Sequence, residues 1–460
     1  MMAKQLEIWG VSDPNTSAQL ALAVRMDLFK KEADINVSCH FLESGTTMPD
    51  EMLRSSTRPF AFTQTPITAI QLHDKGYSTK VVAPLADIAG TQQVIIHPDG
   101  HIKQPADLEG KRIGLAQGAA IYMAIKNMAN DYGINLHKVE FIDLLPHDQI
   151  QAFSAGELDA IACWEPWTTK ARKLGGHLYF SGARSEIPGM EGDVNWLVDE
   201  GCLMVPDEHI VAHPDEVMAI LHVMRIATHL INENRKEVAK ELASFFDVEQ
   251  QELLAAMRKN LYSMTFDNLF RIGLLGFRDF LYHEGVVSQK FSEQALYDFT
   301  LLRQVDPSLI AIEKKGSFDV SVVEKHQVYY RKDMTIVGDG RDVRFLVADD
   351  SKVVRSSLVQ MIEILGGEML GEARTGQEAI DLFEKLRPNF VTMDLSMPGM
   401  SGIDAIKRII EIEPGTNIIV ISGTDHEELR EEVFDLGVKV FIVKPFDPLQ
   451  VAEIIGLLLL

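Results

Sequence analysis

Cysteine and basic residues are scarce in this chain of 460 residues. Its three cysteines, Cys39, Cys163 and Cys202, are widely spaced without a CxxC pair, which excludes a disulfide framework and a zinc finger. We expect free thiols in a reducing compartment. The 44 Lys and Arg residues are outnumbered by 67 Asp and Glu residues, giving a formal net charge of −23. This charge repels phosphate backbones, so no nucleic-acid partner is expected.

Long apolar runs are absent as well. No stretch approaches the roughly 18 uninterrupted apolar residues of a membrane span, so no membrane insertion is predicted. The chain begins MMAKQLEIWGV, where a strand-like segment starts at once without an apolar signal region. We therefore expect a cytoplasmic protein. With 46% hydrophobic and 24% charged residues the chain is globular, and its length predicts about two to four domains.

The C-terminal part has a regular pattern. From Arg344 to Leu460, apolar runs of strand length alternate five times with amphipathic stretches. Such (βα)5 spacing predicts an α/β fold with a parallel sheet covered on both faces, as in flavodoxin-like domains. Its ligand crevice is expected at the carboxyl ends of the strands.

The N-terminal part mixes strands and helices less regularly, and from Pro214 its pattern becomes all-helical. Between the two parts lies a polar, charged segment, typical of a linker. Its pieces VSVV and VYY are too apolar for a linker, so the segment could fold back onto a neighbouring part of the chain. The predicted domains are 1–310 and 343–460, joined by 311–342.

Three carboxylates lie where neighbouring strands should end. Asp349 and Asp350 directly follow FLVA, and Asp394 directly follows FVTM. Like charges at such range are costly unless a cation joins them, and carboxylates suit Mg²⁺. Ser422 and Lys444 follow the fourth and fifth strands, which adds a hydroxyl and an ammonium group to the same crevice.

This constellation resembles the receiver domain of bacterial two-component response regulators. The resemblance implies that Asp394 is the phospho-acceptor and that Asp349 and Asp350 are the acid pair that binds Mg²⁺. Ser396 would contact the metal through its backbone carbonyl. A carboxylate acceptor of this kind is phosphorylated by a sensor histidine kinase.

The same resemblance assigns roles to three further residues. Ser422 would bond the phosphoryl oxygen, and Lys444 would form an ion pair with it. Phe441, three residues before the lysine, occupies the position of the switch aromatic. The added charge can bias a surface between two states.

A second resemblance comes from DLEGKRIG, QGAA before a helix, AGELDA and WEPW. These features are similar to the substrate-binding proteins of ABC transporters for nitrate, sulfonates, taurine and pyrimidine precursors. The resemblance implies a two-lobed, periplasmic-binding-protein-like (type II) domain with a ligand cleft. The cysteine-rich CCCFC motif of the related pyrimidine-synthesising enzymes is absent.

Five residues are the main cleft candidates. Gln117, Gly118 and Ala119 offer backbone N–H groups at a helix N-terminus, which favour the anionic end of a ligand. Trp164 and Glu165 place an aromatic face beside one carboxylate. A ligand with an amine and an acid end would satisfy both groups, whereas nitrate would leave Glu165 without an obvious role. The resemblance implies a ligand of the sulfonate, amino-sulfonate, nitrate-like or pyrimidine class. Weaker candidates are Asp13, Asn15, Gln64, Thr65 and Trp196, and loop capping or core packing is an equal alternative for Asp13, Asn15 and Trp196.

These observations support one leading hypothesis and two alternatives. The leading one is a two-input regulator without enzymatic activity beyond phosphotransfer and autodephosphorylation. The first alternative is an adaptor of a kinase or chemosensory complex with a vestigial pocket. The second is an enzyme acting on a pyrimidine-type ligand, with only Glu165 and His147 as candidate acid/base groups. The terminal VAEIIGLLLL is a candidate homodimer contact.

Overall fold

The computed structural model describes residues 5–311, 328–330, 343–423, 427–444, 446 and 451. The chain divides into two compact units. The first unit consists of residues 1–266 and 273–311, and the second of residues 267–272 and 312–460. Each unit is described by itself.

The first unit is built on two sheets. Its strands are β1 (Leu6–Val11), β2 (Val37–Leu42), β3 (Ala61–Gln64), β4 (Thr79–Asp87), β5 (Gln92–Ile96), β6 (Arg112–Leu115), β7 (Glu140–Asp143), β8 (Ala160–Trp164), β9 (His177–Ser181), β10 (Arg184–Ser185), β11 (Gly192–Asp193), β12 (Glu200–Pro206) and β13 (Leu261–Tyr262).

Helices of varied length cover these sheets. They are α1 (Pro14–Arg25), α2 (Leu28–Ala33), α3 (Met48–Arg54), α4 (Pro66–Asp74), α5 (Ile121–Tyr132), α6 (Pro146–Ser154), α7 (Trp167–Lys173), α8 (Asp207–Ala212), α9 (Pro214–Ala243), α10 (Gln250–Met257), α11 (Asn268–His283), α12 (Glu293–Leu296) and α13 (Thr300–Val305). Short 3-10 turns occur at Gly45–Thr47, Ala89–Thr91, Pro105–Leu108, Leu136–Lys138 and Pro307–Leu309.

Two lobes result from the strand order. The first sheet runs β13-β4-β12-β3-β1-β2, and the second runs β11-β10-β9-β5-β8-β6-β7. In each sheet a parallel group, β3-β1-β2 or β8-β6-β7, continues into antiparallel strands. The chain crosses between the lobes after β4 and returns before β12, so a cleft lies where the parallel strands end.

The inner strands and α1 form the core of the first lobe. Every residue of β3, and every residue of α1 from Pro14 to Ala23, is buried. Two polar side chains of α1 find partners inside this core: the Ser17 hydroxyl bonds that of Thr63, and Gln19 Nε2 donates to the carbonyl of Leu85. Such pairing offsets the cost of burying polar groups.

The structure corrects several element predictions. The spacing of apolar residues predicts separate helices over 215–234 and 236–246; these merge into α9, with non-helical backbone at Asn234. The same kind of spacing predicts one helix over 18–33, which is interrupted at Asp27, whose φ is +56°. The all-helical pattern from Pro214 is broken by β13, which pairs with β4. Strands β9 to β12 were not predicted at all.

The second unit is a parallel sheet with helices. Its strands are β14 (Val328–Tyr330), β15 (Arg344–Ala348), β16 (Glu368–Ala373), β17 (Phe390–Met393), β18 (Asn417–Ser422) and β19 (Val440–Val443). Its helices are α14 (Lys352–Ile364), α15 (Gly376–Leu386), α16 (Gly402–Ile412) and α17 (Glu427–Asp435).

Five parallel strands in the order β19-β18-β17-β15-β16 form this sheet, which confirms the doubly wound, flavodoxin-like prediction. Strand β14 joins antiparallel to β19, with Tyr329 opposite Phe441. The VYY piece of the predicted linker therefore pairs with a strand. The rest of the linker, apart from Ala311, and the proposed dimer contact at 452–460 lie outside the described residues.

Among the described helices, none is both long enough and apolar enough to span a membrane.

Candidate functional sites

The second unit brings its three predicted carboxylates together. Asp349 and Asp350 follow β15, Asp394 follows β17, and these strands pair in parallel with Ala348 opposite Met393. The strands therefore end at the same edge of the sheet, and one carboxylate oxygen of each Asp lies within 4.8 Å of the others. Asp349 and Asp394 are buried, whereas Asp350 is exposed.

Lys444 joins this cluster from the end of β19. Its ammonium group donates to Asp349 Oδ2 at 2.7 Å and to Asp394 Oδ2 at 2.7 Å. Burial raises the pKa of Asp349, and the neighbouring Asp394 raises it further, while Lys444 acts in the opposite direction. One cation thus offsets part of the repulsion between two buried acids.

The donor set fits Mg²⁺. The second carboxylate oxygens are held by backbone N–H groups: Ser351 donates to Asp349 Oδ1 at 2.8 Å, and Ser396 donates to Asp394 Oδ1 at 3.1 Å. Hard oxygen ligands from a few carboxylates, with one side open to water at Asp350, are what Mg²⁺ prefers. Asp349, Asp350 and Asp394 are the residues that would hold the ion.

The remaining predicted residues surround this cluster. Ser422 is fully buried at the end of β18, where its carbonyl accepts the Lys444 N–H at 2.8 Å. Phe441 is fully buried in the hydrophobic core. At Gly402, which opens α16, an added Cβ would lie 2.0 Å from the carbonyl oxygen of Asp394. A side chain there would displace the acceptor, so glycine is required.

The first unit has a cavity of about 40 Å³ between its lobes. The first lobe supplies the loops after β1, β2 and β3, and the second supplies the loop after β6, the end of β8 and the start of β5. Gln92 and Trp164 pair across β5 and β8, which brings those two ends together. The lining residues are Asp13, Thr16, Gly45, Thr46, Gln64, Thr65, Ile67, Thr68, Gln71, Gln92, Gly118, Ala119, Ala120 and Trp164.

Six of the ten predicted cleft residues line this cavity, and four do not. Those that line it are Asp13, Gln64, Thr65, Gly118, Ala119 and Trp164. The other four, Asn15, Gln117, Glu165 and Trp196, have different roles.

Glu165 was expected to present its carboxylate to a ligand, and the structure instead pairs it with Lys259. The Glu165 side chain is 1% exposed, and Lys259 Nζ lies 2.5 Å from its Oε1. The Thr169 N–H donates to its Oε2 at 3.0 Å. Burial alone would raise the pKa of Glu165, but the Lys259 ammonium group and these hydrogen bonds lower it. A buried carboxylate is retained because a cation compensates it.

Asn15 connects the lobes. Its Nδ2 donates to the carbonyl of Glu165 at 2.7 Å, and its Oδ1 accepts from Asn260 Nδ2 at 3.1 Å. With the Lys259 pair, these bonds tie the end of β8 in the second lobe to α1 and to the segment after α10. We call this set of contacts, made by Asn15, Glu165, Lys259 and Asn260, the interlobe latch.

Trp196 and Gln117 are also corrected. Trp196 is 2% exposed, its Nε1 donates to Asp131 at 2.5 Å, and its ring packs against Phe180, so it belongs to the core of the second lobe. The Gln117 side chain is exposed, and its backbone N–H donates to Asp143 at 2.9 Å. That N–H is therefore used within the lobe.

Sequence reasoning missed eight lining residues. Some of them could have been predicted, because β1, β2 and β3 are parallel neighbours and the loop ESGTT after β2 lies at the same edge of the sheet as the loops after β1 and β3. Gly45 packs against the Gln64 amide so closely that an added Cβ would lie 1.4 Å from its Nε2. No pattern marked Gln92, which enters from an antiparallel strand.

The cavity is polar without being basic. None of its described lining residues is Lys, Arg or His. The only ionisable group lining it is Asp13, whose pKa burial raises from 3.8 to about 7. Thr16 Oγ1 and Gln92 Oε1 are buried without a hydrogen-bond partner among the described residues. The Thr16 hydroxyl can donate a hydrogen bond to a bound molecule or accept one from it, and Gln92 Oε1 can accept one.

The raised pKa of Asp13 predicts that the free energy of unfolding depends on pH. Its folded-state pKa of about 7 lies above the ordinary 3.8, so the stability that the protonated acid contributes is present below about pH 4 and lost as pH rises through 7. Asp13→Asn keeps the shape and the capping oxygen. We expect wild type and Asp13→Asn to be equally stable near pH 4. At pH 8 the variant should be more stable than wild type by up to about 4 kcal/mol.

Tryptophan fluorescence during urea unfolding measures this difference, because all four tryptophans lie in the first unit: Trp9, Trp164, Trp167 and Trp196. The exposed Asp99→Asn is the matched control and should follow the wild-type profile. Parallel profiles for Asp13→Asn and wild type would show that Asp13 does not titrate between pH 4 and 8.

The comparisons with known proteins agree with this geometry. Residues 345–456 match the family model for the response regulator receiver domain, and residues 16–237 match the model described as NMT1/THI5 like. The C-terminal part is 44% identical over 110 residues to the chemotaxis protein CheY of Thermotoga maritima, covering 24% of this chain and 92% of that protein. Both expected resemblances are confirmed.

The first unit has the fold of solute-binding proteins. It is similar to the periplasmic aliphatic sulphonate binding protein SsuA from Escherichia coli, with a TM-score of 0.54 and 16% identity over 64% of this chain and 92% of that chain. The periplasmic nitrate-binding protein NrtA from Synechocystis PCC 6803 also has a TM-score of 0.54, at 13% identity over 67% of this chain and 89% of that chain. Sequence identities this low show a shared fold and nothing about the ligand.

Proposed function

Because the C-terminal part of this chain belongs to the response regulator receiver family, we propose that the protein is a cytoplasmic two-component signalling protein. It binds a small metabolite in the cavity of its first unit and is phosphorylated on Asp394 by a sensor histidine kinase. The observation that carries the proposal is the convergence of Asp349, Asp350, Asp394 and Lys444 at one edge of the sheet.

Phosphotransfer follows from these groups. The Asp394 carboxylate attacks the phosphorus of a phosphohistidine or an acyl phosphate; an O–P bond forms as the bond to the donor breaks. The Lys444 ammonium group already donates a hydrogen bond to Asp394 Oδ2, so it is placed to neutralise charge on the transferred group. When bound by the three carboxylates, Mg²⁺ supplies further charge neutralisation on the phosphoryl oxygens.

The product changes the local balance of charge. An aspartyl phosphate carries more negative charge and more acceptor oxygens than the carboxylate. Lys444 would then be drawn from Asp349 towards the phosphoryl group, and the Ser422 loop would follow, since Ser422 bonds Lys444 through the backbone. Phe441 lies on β19, three residues before Lys444, so this movement alters the strand that carries it.

The cavity favours a ligand with two chemical ends. Asp13 and the unpartnered Thr16 and Gln92 atoms suit an N–H or cationic end, while the backbone N–H of Gly118, just before α5, suits an acceptor or anionic end; the Ala119 N–H already donates to the carbonyl of Ala116. Trp164 offers a flat apolar face. We therefore propose an amino-sulfonate or pyrimidine-class ligand rather than nitrate, with Asp13 in the role first expected of Glu165.

Binding such a ligand requires the lobes to move. A cavity of about 40 Å³ has room for only a few water molecules. A larger ligand enters when the lobes separate, so the interlobe latch must open or rearrange. Ligand binding is thereby a conformational event, which is what a sensor needs.

Strand β14 supports coupling between the two inputs. It comes from the segment that connects the two units and pairs with β19, so that Tyr329 lies opposite Phe441. A change in β19 on phosphorylation therefore acts directly on the connecting segment. By thermodynamic linkage, a ligand that changes the connecting segment would change phosphorylation in turn.

Two observations support a binding role over the enzyme alternative. The Glu165 carboxylate is bound by Lys259, and His147 is 56% exposed beside Asp148. We propose that the first unit binds its ligand without transforming it. The adaptor alternative remains testable by ligand binding.

Phosphorylation is the first test of the proposal. Incubation of the full chain with Mg²⁺ and acetyl phosphate should add the mass of one phosphoryl group, and Asp394→Asn should abolish the addition. The exposed Asp404→Asn is the matched control and should be phosphorylated as wild type. A wild-type chain that stays unmodified with both acetyl phosphate and its cognate kinase would rule out Asp394 as an acceptor.

Ligand binding is the second test. Taurine, alkanesulfonates, aminopyrimidines and nitrate are screened for stabilisation of the first unit, read by tryptophan fluorescence. A ligand at 100 times its Kd should add about 2.7 kcal/mol. Trp164→Ala should lose the effect, while Trp167→Ala, outside the cavity lining, should keep it. Stabilisation by none of these compounds would favour the adaptor.

Coupling through β14 is the third test. One of any two adjacent backbone N–H groups in a strand faces its partner, so the double variant Val328→Pro/Tyr329→Pro must lose a donor to β19. Treatment with acetyl phosphate and Mg²⁺ should shift tryptophan-monitored unfolding of the first unit in wild type and in Tyr329→Phe, but not in the proline variant. An equal shift in all three proteins would disprove coupling through β14.

A further inference from the structure

Arg355 is a buried charge that the phosphotransfer site does not use. It lies in the first turns of α14 and is 4% exposed. Burying a cation is costly, and its position near a helix N-terminus, where the helix dipole is positive, adds to the cost. Strong compensating contacts are therefore expected around this side chain.

Those contacts converge on the metal-binding loop. Arg355 Nη1 donates to the carbonyl of Asp349 at 2.8 Å and to the carbonyl of Asp350 at 3.2 Å. Its Nε donates to Glu372 Oε2 at 3.1 Å, from the neighbouring strand β16. The guanidinium thus bonds the backbone of both residues of the acid pair while a carboxylate fixes its own orientation.

Holding these two carbonyls restricts the carboxylates. A carbonyl fixed in direction restricts the backbone torsions on either side, and these decide where each Asp side chain projects. Mg²⁺ demands near-ideal octahedral geometry, so small changes in the projection of Asp349 and Asp350 should weaken binding. The planar guanidinium fork suits two fixed carbonyls and one carboxylate, whereas a lysine ammonium is a point charge.

We propose that Arg355 is a positioning residue for the Mg²⁺ site, acting through the backbone of Asp349 and Asp350 and oriented by Glu372. The inference rests on the proposed function only in that the acid pair binds Mg²⁺. It makes Arg355 a determinant of metal affinity rather than of the chemical step at Asp394. Groups that orient metal ligands typically change affinity by about 10- to 100-fold when removed.

Isothermal titration of Mg²⁺ into the unphosphorylated full chain tests the proposal. Arg355→Met should weaken Mg²⁺ binding about 10-fold or more, and Arg355→Lys should recover little of the loss. Glu372→Gln, at a half-exposed position, should weaken binding less. Arg408→Met is the matched control, since Arg408 is exposed on α16 and pairs only with Glu411 among its described neighbours.

Phosphorylation rates separate positioning from general destabilisation. In Arg355→Lys, the Mg²⁺ concentration for half-maximal labelling by acetyl phosphate should rise about 10-fold, while the rate at saturating Mg²⁺ returns to near that of wild type. If Arg355→Met does not fold, Arg355→Lys and Glu372→Gln decide the question. Wild-type Mg²⁺ affinity in folded variants overturns the inference. Absence of Mg²⁺ binding by the wild type would overturn it too, and would also remove the metal site from the proposed function.

Discussion

The ends of parallel strands are where both units concentrate polar groups, because neighbouring parallel strands stop at one edge and their following loops must converge. In the second unit this edge gathers three carboxylates, and the arrangement is stable because Lys444 bonds two of them and backbone N–H groups hold their other oxygens. In the first unit the same rule places the loops after β1, β2, β3 and β6 around one cavity. The chemistry differs, but the geometric cause is shared.

This cause also explains what the sequence could predict. In the second unit the strands are buried apolar runs connected by single helices. Each functional residue lies at the end of its strand or directly after it, so its position in the sequence predicts that it meets the others at one edge of the sheet. Asp349, Asp394, Ser422 and Lys444 could be placed in that way. The first unit also contains antiparallel strands, and one of them, β5, reaches the cavity with its start rather than its end. Gln92 was missed for that reason, and β12, a buried apolar strand, was missed within a polar, glycine-rich region.

Glu165 shows a different limit. Its neighbour in WEPW, Trp164, lines the cavity, whereas the Glu165 carboxylate bonds Lys259 and does not line it. A buried carboxylate needs a cation, and the one it uses, Lys259, lies 94 residues along the chain. No local pattern records such a partner. The same holds for Trp196, whose indole N–H is bonded to Asp131, 65 residues away. Residue type and local spacing indicate a functional position, but the identity of a distant partner decides whether the side chain serves a ligand or the fold.

Under the proposed function, the latch and strand β14 are the two elements of the chain that would rearrange. In the first unit the interlobe latch joins the two lobes through polar contacts, and two of its partners, Glu165 and Asn15, are buried. Opening exposes these groups to water, so the cost of breaking their bonds is partly recovered, and a ligand need contribute only the difference. In the second unit, under the proposed function, phosphorylation would change the charge at Asp394, and β19 would carry the change to the connecting segment through its pairing with β14. Ligand binding and phosphorylation can each occur without the other. If ligand binding changes the free energy of phosphorylation through the connecting segment, phosphorylation must change the free energy of ligand binding by the same amount.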